Sequence, residues 1–330
     1  MTEPLICILG INGTIGRHIA GALLRDGRQI RALVRDRSGA EASWRGARGI
    51  TWIEGDAMDR DAVIRAAEGA GTIVHAVSPP AYRNWGQLVL PMIDNSIAAA
   101  KAAGGARIVL PGTIYNYDPA ATPVLREDSP QRPRGEKGRI RVELEGRLEA
   151  ASGICPALIV RAGDFIGADA RSSWFAQSLV QPGKRVTRLI NPGKGVGHSW
   201  AYLPDLAEAF ARLLAIPERL RPFERVQFEG IWDADGTLLP RVIRQIVGRD
   251  VHEWAFPWTA MRLLAPFGGF PRAVRDIEPY WRHPVRLDNR RLVELIGAEP
   301  HTPVEDAIRT TLQQMGCLDD AVRPASRAPA

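Results

Sequence analysis

The most chemically suggestive stretch is Gly10-Ile11-Asn12-Gly13-Thr14-Ile15-Gly16, which follows directly on the apolar run Leu5 to Leu9. A buried strand running into a glycine-rich turn that opens a helix can hold a diphosphate. The glycines allow tight backbone geometry and close approach, while the first-turn amides and the helix dipole face the anion. Spacing alone is weak evidence in a chain with 32 glycines. The flanking strand and the amphipathic stretch after Gly16 make dinucleotide binding the stronger reading. The second strand should end near Leu33-Val34-Arg35-Asp36-Arg37. A guanidinium there suits a ribose 2′-phosphate, so Arg35, helped by Arg17 and Arg37, points to NADP(H). Asp36 leaves NAD(H) open if the register slips by one residue.

Other segments bring a resemblance into view. Gly55-Asp56 follows the expected third strand, and Arg161-Ala162-Gly163-Asp164-Phe165-Ile166-Gly167 and His198 to Ala207 form two further blocks. Leu295-Ile296-Gly297 and Pro300 to Ala307 make a fifth. With the glycine turn, these resemble the short-chain dehydrogenase/reductase superfamily in its extended, NAD-dependent epimerase/dehydratase-like branch. The likeness runs from residue 5 to about 315. It implies an α/β fold, a Rossmann-type doubly wound parallel sheet with a smaller substrate-covering part. It also implies cofactor contacts from Gly10, Asn12, Gly13, Thr14, Ile15, Gly16, Asp56, Ala57, Ala76, Val77, Ser78, Lys137, Gly163, Asp164 and Phe165. Ser78, Tyr115, His198 and Tyr202 would line the substrate pocket, although core packing explains His198 and Tyr202 equally well.

The chain departs from the pattern at its catalytic centre. Members of the superfamily use a tyrosine with a lysine four residues later on one helix face, the cation lowering the phenol's pKa. Four residues after Tyr82, Tyr115, Tyr117, Tyr202 and Tyr280 stand Gly86, Pro119, Ala121, Leu206 and Pro284. By register with the family, Lys137 occupies the tyrosine position, Arg141 the lysine position and Thr113 the Ser/Thr position ending the fifth strand. In one reading Thr113 hydrogen-bonds a substrate carbonyl, Lys137 donates the proton and Arg141 holds the nicotinamide ribose. Desolvation and the nearby Arg141 would lower the pKa of Lys137. Tyr115 is a rival donor, since a strand period of two would put it on the face of Thr113. Lys137 and Arg141 read almost as well as solvated helix charges, and Thr113 as a strand-end cap.

Three functions stay open: an NADP(H)-dependent reductase of a small carbonyl-type substrate, a non-catalytic NADP(H)-binding redox sensor, and a nucleotide-sugar epimerase or dehydratase. The last loses ground because oxidising a sugar hydroxyl needs a strong base, which a charged lysine is not.

These residues must be held by alternating elements. Strands are expected at 5–9, 29–34, 50–54, 72–77, 107–110 and 157–161, with helices following Gly16 and at 61–69, 88–103 and 139–150. Residues 116–138, rich in Pro, Arg and Gly, should be a surface loop. Later helices are expected at 205–215, 238–247, 261–264 and 303–314, with a strand at 225–228. The expected division is a dinucleotide-binding part at 1–165, to which 200–230 returns, a substrate-covering part at 166–199 and 231–318, and a disordered tail at 319–330. The aromatics of the second half, including Trp174, Trp200, Trp254, Trp258, Phe267, Phe270 and Trp281, suggest an apolar pocket, although tryptophan more often packs a core.

Composition narrows the field. The 330 residues are 45% hydrophobic and 24% charged, the profile of a folded globular chain. The net charge of +6 comes mainly from arginines scattered along the chain rather than clustered, which argues against nucleic acid. No run reaches the ~20 apolar residues of a membrane span. The first residues have no basic region, and Leu5–Leu9 is too short for a secretory signal, so the cytoplasm is expected. Cys7, Cys155 and Cys317 are isolated, and the histidines lack metal-ligand spacing, so no metal is expected. The expected partner is a small-molecule substrate, with no membrane partner; the resemblance adds a homodimer.

Overall fold

The computed structural model describes residues 4–79 and 85–318. The tail expected at 319–330 lies outside them. The first half alternates strand and helix: β1 (Leu5–Leu9), α1 (Thr14–Arg25), β2 (Ile30–Val34), α2 (Arg37–Ser43), β3 (Ile50–Glu54), α3 (Arg60–Ala67), β4 (Ala70–His75), α4 (Trp85–Ala102) and β5 (Arg107–Gly112). Then come β6 (Val124–Leu125), α5 (Glu136–Ala151), β7 (Ala157–Arg161), β8 (Asp164–Ile166), β9 (Arg188–Asn191), β10 (His198–Tyr202), α6 (Leu203–Leu214), β11 (Phe223–Gln227) and β12 (Ile231–Asp233). The chain ends in α7 (Leu238–Val247), β13 (His252–Ala255), α8 (Trp258–Leu264), α9 (Gly269–Arg275), β14 (Arg286–Leu287), α10 (Arg290–Ile296) and α11 (Val304–Gln314).

Seven strands form one sheet in the spatial order β3-β2-β1-β4-β5-β7-β11, with every pairing parallel. Parallel strands covered on both faces need apolar side chains on both, which is why Ile6, Cys7, Ile8 and Leu9 are all buried. One face packs Ile6 and Ile8 against Ile15, Ile19 and Leu23 of α1 and Leu206 and Phe210 of α6. The other packs Cys7 and Leu9 against Val63 of α3, Ile93 of α4 and Leu144 of α5. Each fully buried aliphatic side chain contributes roughly 1.5–3 kcal/mol. The architecture is the expected doubly wound Rossmann-type sheet with a smaller C-terminal part. In that part a separate core gathers Phe175, Leu189, Trp200, Ile243, Trp258, Tyr280 and Trp281.

Two local expectations need correction. The segment 116–138 is not all loop: β6 pairs with β14, and α5 already begins at Glu136. The backbone also leaves the strand at Gly112, and Thr113 caps a short 3-10 turn, Ile114–Asn116. The period of two that placed Tyr115 beside Thr113 therefore does not apply.

Candidate functional site

The strand order reverses at β1, which lies between β2 and β4. A ligand crevice is expected beyond the carboxyl ends of strands at such a switch point. Gly10 and Ala76 meet there. Gly10 has φ +91°, and a Cβ on it would stand 2.6 Å from the Ala76 carbonyl oxygen. A Cβ on Gly16 would fall 2.2 Å from the Gly10 carbonyl oxygen. These two glycines are therefore demanded by the backbone packing itself. The Gly13 amide donates to the Gly10 carbonyl at 2.9 Å, closing the turn, and Gly13 caps α1. The first amides of a helix have no intrahelical acceptor, so Thr14, Ile15 and Gly16 present N–H groups and the positive helix end to this crevice. The turn fits a dinucleotide's diphosphate.

Around the turn the structure adds groups that the sequence did not single out. Trp44, just after α2, donates its indole N–H to Asn12 Oδ1 at 3.0 Å. The Arg17 guanidinium lies 5.1 Å from the centroid of the same ring and hydrogen-bonds Ser43. Arg35 is exposed at the end of β2. Asp36, the acid that left NAD(H) open, is the N-cap of α2: it accepts from the Gly39 amide at 3.0 Å and the Ser38 hydroxyl at 2.8 Å. Those hydrogen bonds hold its carboxyl below the usual range. Arg37 pairs with Glu41 at 2.8 Å. Asp56 accepts from the Met58 amide at 2.8 Å, and the carbonyl of buried Ala57 accepts from Asn95 at 2.9 Å. Val77 packs against the α4 side of the sheet, and Ser78 is exposed. On the opposite rim Asp169 approaches His18 at 3.3 Å, and its carbonyl accepts from Thr14 Oγ1 at 3.4 Å.

The elements that carry the expected catalytic positions meet at one point. A Cβ on Gly138 would fall 2.2 Å from the Tyr115 carbonyl oxygen, so the first turn of α5 lies directly on the turn that Thr113 caps. Lys137 and Arg141 sit one helical turn apart on that helix. Burial pulls the Lys137 ammonium below the ordinary lysine range, and the Asp276 carboxylate opposes the shift. The contribution expected from Arg141 is replaced by that of Asp276. Arg141 instead lies 4.9 Å from the centroid of Trp85 on α4. Complete burial, aided by the Arg141 charge, drives the His75 imidazole down to about 3. Thr113 Oγ1 accepts from the Tyr115 amide at 3.3 Å. Tyr115 meets Tyr280 edge-on with centroids 5.1 Å apart, and the Tyr280 hydroxyl donates to the carbonyls of Tyr115 and Tyr117 at 3.0 and 2.8 Å.

A buried charge network anchors this floor. Arg161 at the end of β7 donates to the Thr113 carbonyl and pairs with Glu145 of α5 at 2.8 Å. Glu145 also accepts from Asn116 at 2.8 Å and from Gln131 at 2.7 Å. The pair ties β7, α5 and the Thr113 turn together.

The remaining expected residues lie inward. His198 Nε2 and the Asp164 carboxylate meet at 2.8 Å, and the imidazole stacks on Trp281 with centroids 4.1 Å apart. The cavity beside His198 has a volume of about 10 Å³, room for one water rather than a substrate. Gly163 lets the chain approach β10, since a Cβ there would stand 2.0 Å from the Ser199 carbonyl oxygen. Phe165 packs on the α1 side of the sheet. Tyr202 is buried, its phenol pushed up by burial and by Asp205. Asp276 and Tyr280 were not anticipated, because no local pattern links residues 137 and 276. Trp44 had a signal, as a lone tryptophan closing a polar helix beside the arginines.

Residues 10–134 match a protein-family model described as NAD(P)H-binding. A 3-diazoavenalumate denitrifying reductase from a Streptomyces species is 29% identical over 177 residues, 49% of this chain and 56% of that protein. A ceramide reductase from Caulobacter vibrioides is 31% identical over 118 residues, 35% of this chain and 37% of that one. The chain thus spans less than two thirds of the length of either curated relative. A dTDP-glucose 4,6-dehydratase from Bacillus anthracis, solved in complex with NAD, superposes with a TM-score of 0.72 at 13% identity, covering 94% of this chain and 96% of that one. No described helix is long and apolar enough to cross a membrane. The chain thus shares the fold of that dehydratase over nearly its whole length, and residues 10–134 resemble an NAD(P)H-binding family.

Proposed function

We propose that this protein is an NADP(H)-dependent oxidoreductase that reduces a small carbonyl-type substrate. The observation that carries this reading is the placement of half-buried Lys137 on α5, against the turn capped by Thr113 and beside Asp276. When bound across the glycine turn, NADPH supplies the hydride. The Thr113 oxygen already accepts the Tyr115 amide, so its O–H is left to donate to a substrate carbonyl. The Lys137 ammonium gives its proton to the oxygen as the carbonyl is reduced to an alcohol. Arg141, braced on Trp85, holds the nicotinamide ribose. The exposure of Arg35 at the end of β2 favours the 2′-phosphate of NADP(H). Both curated relatives are reductases, and their matches fall short of half of this chain.

A second reading, nucleotide-sugar epimerase or dehydratase, is backed more broadly by the solved structures. The dehydratase covers nearly the whole chain and holds NAD. In that case Lys137 would act in its neutral form as the base for a sugar hydroxyl, helped by its burial.

Single-turnover oxidation of bound NADPH by a panel of aldehydes and ketones tests the first reading, alongside incubation with NAD and dTDP- or UDP-sugars for the second. Carbonyl-dependent loss of NADPH that Lys137→Met abolishes and Tyr115→Phe spares is the expected outcome. The reverse pattern moves proton donation to Tyr115. Conversion of a nucleotide sugar without net NADPH oxidation replaces the proposal with the second reading. Saturable binding with no turnover of either kind points to a redox sensor.

A further inference from the structure

Among the described residues few large apolar side chains stand in water, and most of those few share one stretch of chain. Among the described residues the exposed ones are Met58, Ile154, Trp254, Leu263, Leu264, Phe267, Phe270 and Val293. Five of these eight fall between Trp254 and Phe270, the span of β13, α8 and the start of α9. Leu263 is 73% exposed and Phe267 87%. α8 and α9 pack on one another, and between them Gly268 and Gly269 turn the chain with φ +89° and +62°. Phe267 and Phe270 flank that turn, and Leu263 and Leu264 end α8 just before it.

The charge of the segment is as biased as its polarity. From Trp254 to Arg275 there is no Asp or Glu, while Arg262, Arg272 and Arg275 stand on the same two helices. All three are exposed. Arg262 also reaches the buried Glu278 at 3.5 Å, so Arg272 and Arg275 on α9 carry most of the outward charge. Contiguous apolar exposure marks an interaction site. Aromatic and aliphatic tips with arginines and no acid within the stretch itself are the composition of an element that lies in the boundary of an anionic bilayer. The rings enter the acyl region while the guanidinium groups meet headgroup phosphates.

We propose that the α8–α9 element docks this protein on the surface of an anionic lipid bilayer. The expectation of no membrane partner rested on a search for spans, which asks for length, whereas this element is a short one that lies flat. A protein partner would have to meet Arg272 and Arg275 with acids of its own. The docking is independent of the reaction assigned above, although α9 ends at Asp276, the carboxylate beside Lys137.

Flotation of the full chain with vesicles of phosphatidylcholine and phosphatidylglycerol in equal parts, and with phosphatidylcholine alone, tests this. Preferential recovery with the anionic vesicles, reduced at high salt, is expected. Phe267→Ser/Phe270→Ser and Arg272→Gln/Arg275→Gln should each weaken binding roughly tenfold or more. These side chains are exposed and lie outside the cofactor turn, so both variants should stay folded and keep the wild-type NADPH affinity. Equal recovery with and without vesicles, or binding unchanged in the Phe267→Ser/Phe270→Ser variant, overturns the proposal. A concentration-dependent dimer in light scattering that this variant abolishes, without vesicle binding, assigns the face to a second copy of the chain and also overturns it.

Discussion

Lys137 is the side chain on which the proposed chemistry turns, and its environment makes a signed prediction. Burial lowers its pKa and Asp276 raises it. As a proton donor Lys137 works only while charged, so the rate of reduction should fall as pH rises through that lowered pKa. Asp276→Asn removes the opposing charge and should move this alkaline limb to lower pH; a profile unchanged in the variant would disconnect Asp276 from the reaction. At the other end of the cofactor, Arg35→Asp should reverse the preference of NADPH over NADH in paired titrations. His75 offers a stability test. Its imidazole falls from 6.5 in the unfolded chain to about 3 in the fold, so between those values the unfolded state holds a proton that the folded state lacks. Stability is complete above pH 6.5 and falls by about 1.4 kcal/mol per unit below it. Denaturant titrations of His75→Gln should show a shallower acid slope than those of the wild type.

At the scale of elements, the contact of α5 with the Thr113 turn depends on a missing side chain. Gly138→Ala puts a methyl group 2.2 Å from the Tyr115 carbonyl oxygen, so the helix must move. Overpacking of this kind costs about 1–3 kcal/mol. Thermal denaturation should register that loss, and turnover should fall, because the displaced helix carries Lys137 and Arg141. The glycine turn was legible because a buried strand, spaced glycines and a helix-period stretch are contiguous. The 3-10 turn after Gly112 was not, because Thr113 and Tyr115 continue a strand-like pattern and only the tertiary packing of Gly138 and Tyr280 breaks it. Asp36 shows the same limit. Its type suited a ribose hydroxyl, and its position at the start of α2 gives it a second task as a cap, through Oδ1.

For the whole molecule, a buried ion pair joins the sheet, α5 and the Thr113 turn. Glu145→Gln leaves Arg161 charged, wholly buried and short of its carboxylate. Such a loss costs about 3–5 kcal/mol. The variant should unfold at clearly lower denaturant concentration; wild-type stability would contradict this role. The alternation of strands and helices made the sheet readable over residues 5–161 from local pattern alone. The C-terminal part was less so, because β8, β9, β10, β12 and β13 are short and pair across long separations, as His198 to Asp233 does. The aromatics there were read as a pocket or a core. Trp174, Trp200, Trp258 and Trp281 cluster with one another, while Trp254, Phe267 and Phe270 face solvent, a distinction that depends on tertiary burial.

The measurement that bears most directly on all of this is an equilibrium titration of the full chain with NADPH and with NADH, run in parallel on wild type and Gly13→Asp. Saturable binding of NADPH tighter than that of NADH, lost when a carboxylate replaces the hydrogen of Gly13 at the head of α1, is the predicted result. An isotherm that stays flat into the millimolar range, or one that Gly13→Asp leaves unchanged, would contradict the account.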